Sequence, residues 1–354
     1  MKKLSVFLFF VLPIIALSQK ENKFGSSYSY CNWDNTKLNK NYIAKENDTC
    51  LLVVSTRNYH ALKNEFLDYD YDTTGTLNYF AVYFNGNQWT AVPYPSLNEL
   101  LTIKKEFKNL VVFTEGLGKT FTSGIDRATQ LMRTYQIDEL FFDWPTERPY
   151  MKPGKNIKTT CKLAPIVAQP FAVFLENFET YKNEHPEKFK TTTLFNHSMG
   201  NLLLMYDLQN DYLKNIHTKL FDNIVLNAAC VNQKNHKWWL DKLAISKNIY
   251  LTINDKDRNL RGARILFKAR QLGESPQPEY CKNVTYVDFS EVLDIEHNYF
   301  LLPNVLNQKP YLKKFYSDIF NGQTPQLIFK DNSTPEDVKK YLPGKSENSI
   351  PIGM

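Results

Sequence analysis

The chain has 354 residues, 43% of them hydrophobic and 14% aromatic, which excludes a disordered or fibrous chain and suits one large globular domain with additions. Its formal charge of +6 is too small to argue for a nucleic-acid partner. Five widely spaced cysteines, Cys31, Cys50, Cys161, Cys230 and Cys281, include no Cys-x-x-Cys pair, which removes the usual zinc and thiol-redox motifs.

Lys2 and Lys3 followed by the apolar run Leu4 to Leu17, ending Ala16-Leu17-Ser18, read as a signal peptide over residues 1–18 cleaved before Gln19. The run is shorter than the ~20 residues of a spanning helix, and Pro13 interrupts it. Cleavage takes the charge from +6 to +4 and implies an exported chain, periplasmic or secreted. There one or two disulfides are expected, Cys31 with Cys50 being the most local pair. Residues 19–50 are polar and read as an N-terminal extension lying on or off the core.

From there the pattern becomes regular. Leu51 to Thr56 reads as a buried strand, and Leu77 to Phe84 with Gln88 to Val92 as a hairpin turning at Asn85-Gly86-Asn87. Leu97 to Phe107 reads as a short helix and Leu110 to Phe113 as a buried strand running into Thr114-Glu115-Gly116-Leu117-Gly118. A helix over Gly124 to Tyr135 and a strand over Glu139 to Trp144 follow. Pro149 to Lys162 is loop-like, and Leu163 to Tyr181 is helical with a late start or kink at Pro165 and Pro170. Residues 146–190 are where a lid would sit. Strands at Thr191 to Phe195, Phe221 to Leu226, Asn248 to Ile253 and Val284 to Phe289 then alternate with helices at Asn201 to Leu208, Trp238 to Leu243 and Arg261 to Leu272. This alternation predicts an α/β domain over 51–320, with a mostly parallel sheet, helices on both faces and ligand chemistry at the strand carboxyl ends. Residues 321–354 read as a polar tail.

Asn196-His197-Ser198-Met199-Gly200 lies between a strand and a helix, as a nucleophile elbow does, with Asn196 as an αL-tolerant stand-in for the first glycine. A serine hydroxyl needs a base, and the base an orienting carboxylate, here in the chain order serine, acid, histidine. Asp255 and Asp257 follow a strand end, and His297 lies in the loop after the last strand. His60, His185, His217 and His236 lie in polar stretches and read as solvated, while His197 lines the turn. An oxyanion hole is expected from the Met199 N–H and from Leu117 or Gly118. Gly118-Lys119-Thr120 is not a phosphate loop, because Phe113 stands where the earlier glycine is needed. Trp238 and Trp239 read as rim and core of a helix, and Asp68 to Asp72 as a solvated turn rather than a calcium loop.

These residues resemble the α/β-hydrolases of unknown function found in many bacteria, with a lipase-like His-Ser-Met-Gly-Asn elbow. The resemblance runs from about Leu51 to Leu301 through Ser55-Thr56-Arg57, Val111-Val112-Phe113 with Gly116, Phe142-Asp143-Trp144-Pro145, His197 to Asn201, Asp255 to Leu260, and His297-Asn298-Tyr299-Phe300. It implies the α/β-hydrolase fold and a serine hydrolase acting on a small or lipid-like ester, less readily an amide or thioester, without metal or organic cofactor. It also points to Asp257, in Asp257-Arg258-Asn259-Leu260, as the acid, with Asp255 as the alternative. The family usually has His-Gly where this chain has Glu115-Gly116. An ionised Glu115 aimed at the oxyanion would oppose catalysis; turned into the loop, it leaves the backbone donors intact. A non-catalytic binding or surface protein retaining the fold is the alternative reading, motivated by Glu115 and Asn196.

Overall fold

The computed structural model describes residues 30–276 and 279–325, with two further short strands at 339–341 and 350–351. The leader and most of the C-terminal tail lie outside the described residues. Among the described residues no helix is long and apolar enough to cross a membrane.

The chain runs β1 (Thr36–Leu38), β2 (Thr49–Ser55), β3 (Arg57–Tyr59), β4 (Leu67–Tyr71), β5 (Asn78–Phe84), β6 (Trp89–Tyr94), α1 (Leu97–Thr102), β7 (Phe107–Thr114), α2 (Phe121–Tyr135), β8 (Asp138–Asp143) and α3 (Pro153–Glu184). It continues with β9 (Phe189–His197), α4 (Asn201–Gln209), β10 (Phe221–Asn227), α5 (His236–Leu240), β11 (Ser246–Ile253), α6 (Arg258–Phe267), β12 (Thr285–Asp288), α7 (Pro303–Gln308), α8 (Pro310–Phe320), β13 (Lys339–Tyr341) and β14 (Ile350–Pro351). One twelve-stranded sheet has the order β1-β6-β5-β2-β8-β7-β9-β10-β11-β12-β13-β14. Its centre, β2 to β12, is parallel throughout; the β5–β6 hairpin and β13–β14 flank it with antiparallel pairs. β3 and β4 form a separate pair.

Strand alternation divides the core into two layers. On β7, Leu110 and Val112 join α1, α3, α4 and α5 on one face, whereas Val111 and Phe113 join α2, α7 and α8 on the other. α2 begins at a capping box between Thr120 and Ser123, which satisfies two end groups of the helix reciprocally. Gly124 lets it lie on β8, since a Cβ there would sit 2.9 Å from the Phe141 ring. The chain passes from β7 to β8 through α2, then crosses back through α3 to place β9 on the other edge of β7. This reversal opens a crevice at the carboxyl ends of β7 and β9, where ligands bind in such sheets.

Several expectations are corrected. The helix of Pro149 to Tyr181 starts at Pro153, not near Leu163, because Pro at the first helical turn needs no N–H bond. Both Pro165 and Pro170 lie inside it. Its buried face, including Val167, Phe171 and Phe174, is part of the core. Most of 146–190 is therefore a layer of the domain rather than a lid over it. The extension contributes β1 to the sheet edge, and the tail contributes β13 and β14. All five cysteines are free. Cys31 and Cys50 pack into opposite layers of the core, so proximity in sequence does not bring them together.

A buried ion pair joins the strand ends beneath the crevice. Arg57 donates from Nε to Asp143 Oδ2 at 2.8 Å and from Nη2 to Oδ1 at 3.1 Å, and Ser55 Oγ donates to Oδ2 at 2.6 Å. Arg57 also reaches the carbonyls of Lys119, Trp144 and Asp68, so one guanidinium gathers β2, β4, β8 and the loop after β7. Removing one member of such a pair strands the other charge. Arg57→Leu is expected to cost about 3–5 kcal/mol in urea unfolding, whereas surface changes such as Lys63→Leu leave the midpoint nearly unmoved.

Candidate active site

Ser198 follows β9 with φ +52°, the left-handed backbone that a nucleophile elbow imposes on a non-glycine residue. Its neighbours show what the turn demands. A Cβ on Gly116 would lie 2.6 Å from Ser198 Cβ and 2.9 Å from Met199 N, and one on Gly200 would lie 2.6 Å from the Thr114 carbonyl. Both glycines are thus required by close approach between the end of β7 and the elbow. Asn201 Nδ2 donates to the Ser198 and Asn196 carbonyls, and Cys230 N donates to Ser198 O, closing the turn from beneath. Asn196 is not an αL stand-in: it is extended within β9, paired with Thr114 and Leu226, and the positive φ falls on Ser198 itself.

Asp257 and His297 meet. His297 Nδ1 donates to Asp257 Oδ2 at 2.6 Å, and Asp257 is fully buried. The other oxygen, Oδ1, accepts the N–H groups of Asn259 and Leu260 and so caps α6. The carboxylate is held from two sides, and the proton on Nδ1 leaves His297 Nε2 with its lone pair. Asp255 does not share this role: its side chain is exposed, and its backbone N–H donates to Ser290 Oγ. The histidine loop is tied at both ends. Asn254 Nδ2 donates to the carbonyls of Asp294 and Glu296, and Tyr135 Oη donates to that of Phe300.

Beside His297 lies a second imidazole. The rings of His197 and His297 have centroids 4.7 Å apart. Asn227 Nδ2 donates to His197 Nδ1 at 3.1 Å, so His197 Nε2 carries the hydrogen and donates to Asn298 Oδ1 at 3.0 Å. Burial pushes His197 down to about 3, and it stays neutral. His236, expected in solvent, is also buried, between the Tyr286 hydroxyl and the Gln233 carbonyl. Its polar sequence neighbours concealed these partners, which come from β12 and the start of α5.

Glu115 turns into its own loop. Oε1 accepts the Gly116 N–H at 3.0 Å and lies 3.7 Å from His197 Nε2, while Oε2 lies 3.4 Å from Arg127 Nε. Burial pushes this carboxyl up, but the His197 ring, the Arg127 and Lys119 cations and the Gly116 N–H outweigh burial and hold it below the usual range. With His197 neutral, the two cations carry that balance at physiological pH. Burial, and then Arg127, push Lys119 itself down to about 8. Of the expected oxyanion donors, Gly118 is excluded because its N–H donates to the Thr146 carbonyl. Met199 N stands against Gly116, and Leu117 is the next residue of that loop. Arg127, Asn227 and Asn298 were not anticipated. Arg127 reads as one more charge on an amphipathic helix, and only packing of α2 on β7 aims it at Glu115.

A parallel sheet whose switch point carries a strained serine, with a hydrogen-bonded histidine and aspartate on later loops, defines the α/β-hydrolase class. The sequence model of one family, described as alpha/beta hydrolase of unknown function (DUF900), matches residues 96–313, and the chain belongs to that family. Membership supports a hydrolase-like function. No curated protein matches the chain.

Two measurements probe this geometry. Gly116→Ala overpacks the elbow contact and is expected to destabilise the fold by about 1–3 kcal/mol in thermal unfolding. His197 gives stability a pH slope: between pH 6.5 and about 3 the unfolded chain binds a proton that the folded chain refuses. The stability present above pH 6.5 is therefore lost as pH falls, by at most about 1.4 kcal/mol per unit for this group. Urea unfolding from pH 7.5 to 5 is expected to show a shallower loss in His197→Asn.

Proposed function

We propose that the chain is an exported serine hydrolase that cleaves a carboxylic ester through an acyl-enzyme on Ser198. His297 takes the Ser198 proton through Nε2 as the oxygen attacks the carbonyl carbon, then returns it to the leaving alcohol. Asp257 keeps the imidazole oriented and offsets its positive charge. The N–H groups of Met199 and Leu117 receive the developing oxyanion. In the second half, water attacks the acyl carbonyl while His297 accepts its proton, and Ser198 is released.

The observation that carries this reading is the 2.6 Å bond from His297 Nδ1 to Asp257 Oδ2 on loops beside a serine of positive φ. The two features that favoured a non-catalytic protein weigh less in this setting. Asn196 is an ordinary strand residue, and the Glu115 charge is engaged by Arg127, Lys119 and the Gly116 amide. Export rests on the leader-like residues 1–18.

A fluorophosphonate probe is expected to label the chain, and Ser198→Ala to abolish labelling. Asp257→Asn should lower ester turnover by about 10⁴-fold, as loss of the orienting carboxylate does in serine hydrolases generally, while Asp255→Asn stays within a few-fold of the parent. A folded parent chain that resists the probe, or equal losses at Asp255 and Asp257, would sink the assignment.

A further inference from the structure

α6 starts at the buried pair and runs out along the surface. Its N-cap is Asp257, whose other oxygen holds His297, and only Leu260 of its ten residues is buried. Beyond that anchor the composition is one-sided. Residues 258–270 include Arg258, Arg261, Arg264, Lys268 and Arg270 and no acid, in a chain whose charges are otherwise nearly balanced. Arg264 is paired with Glu274, and Arg261 Nε donates to the Asp255 carbonyl. The side chains of Arg258, Lys268 and Arg270 have no polar partner among the described residues. The neighbouring acids gather at the other end, where Asp255 precedes the helix and Asp294 and Glu296 flank Ile295, whose carbonyl takes the Arg258 N–H.

Two large apolar side chains stand among these cations. Ile265 is 59% exposed and Phe267 37% exposed, while Arg261, Lys268 and Arg270 are exposed beside them. A face for nucleic acid would need the cations but gain nothing from an exposed isoleucine. A membrane interface uses both, as the apolar groups enter the acyl boundary and the cations meet anionic headgroups. At 1.5 Å per residue, the whole helix reaches only about 15 Å from the Asp257 cap.

We propose that the outer face of α6, from Arg261 to Arg270, docks the protein on a bilayer carrying anionic phospholipid, and that the ester reaches Ser198 from that interface. The substrate class rests on the hydrolase reading above; the docking surface does not. Docking by this face keeps the entry to the site close to the lipid, where a sparingly soluble ester is concentrated.

Co-sedimentation of the exported chain, from Gln19 on, with phosphatidylcholine vesicles with and without phosphatidylglycerol tests the surface. Binding is expected only with phosphatidylglycerol, and is expected to weaken as salt is raised. Lys268→Gln with Arg270→Gln, and separately Ile265→Ser with Phe267→Ser, should each weaken it at least about tenfold. Both variants should keep the parent's circular dichroism and its rate on a water-soluble acetate ester. Equal binding to both vesicle types, or unchanged binding by either variant, overturns the proposal. So does capture by an RNA oligonucleotide that is unaffected by Ile265→Ser with Phe267→Ser and occurs without vesicle binding. Fluorophosphonate labelling of the same samples separates the two readings. Vesicle binding with an unreactive Ser198 retains the docking surface and removes the hydrolase, and a labelled Ser198 without vesicle binding does the reverse.

Discussion

Two backbones meet without side chains between them at the carboxyl ends of β7 and β9, and the site depends on that contact. Gly116 presses against the Ser198–Met199 peptide, and Gly200 presses against the carbonyls of Thr114 and Glu115. Each glycine belongs to one strand's exit and makes room for the other's. The sheet reversal brings these two exits side by side, so topology and composition impose the same constraint from different directions. A serine with left-handed φ is unfavourable on its own. Here the Asn201 amide, the Cys230 N–H and the neighbouring loop hold it in that conformation.

Beneath that contact the domain buries an unusual amount of charge. Arg57 with Asp143, and Glu115 with Arg127 and Lys119, sit on successive strand ends and on the helix that covers them. Buried ions gain little net stability over apolar residues of the same shape, but they are unforgiving about geometry. The guanidinium of Arg57 fixes the far end of the 115–119 loop through the Lys119 carbonyl, and Glu115 fixes the near end through the Gly116 amide. The peptide of Leu117 is held between two immobilised points. For a backbone N–H that must face a developing charge, such preorganisation is the useful property.

The parts legible in the sequence are those written in local pattern. Continuous apolar runs disclosed the parallel strands, and the order of Ser198, the Asp255/Asp257 pair and His297 along strand exits disclosed the site. Asp257 could be separated from Asp255 only through the Asp257-to-Leu260 resemblance, because both follow the same strand. In space the difference is plain, since one carboxylate is inside the helix cap and the other faces solvent. What stayed hidden depends on partners distant in the chain. His236 sits among lysines and asparagines, yet lies against Tyr286. Pro165 and Pro170 suggest a break, yet the apolar face of α3 gains enough burial to carry the helix through both. Gly118 looked free to donate until Thr146 approached from the strand beside it.

The N-cap of α6 has a meaning beyond architecture. A helix start is satisfied by asparagine, serine or threonine almost as well as by aspartate, because one acceptor oxygen suffices. Asp257 supplies that acceptor with Oδ1 and keeps a second oxygen in reserve for an imidazole N–H. The fold alone therefore does not explain why this position is an acid. Foldedness and chemistry are separable at a single atom: an asparagine there would preserve the shape of the protein and silence its histidine.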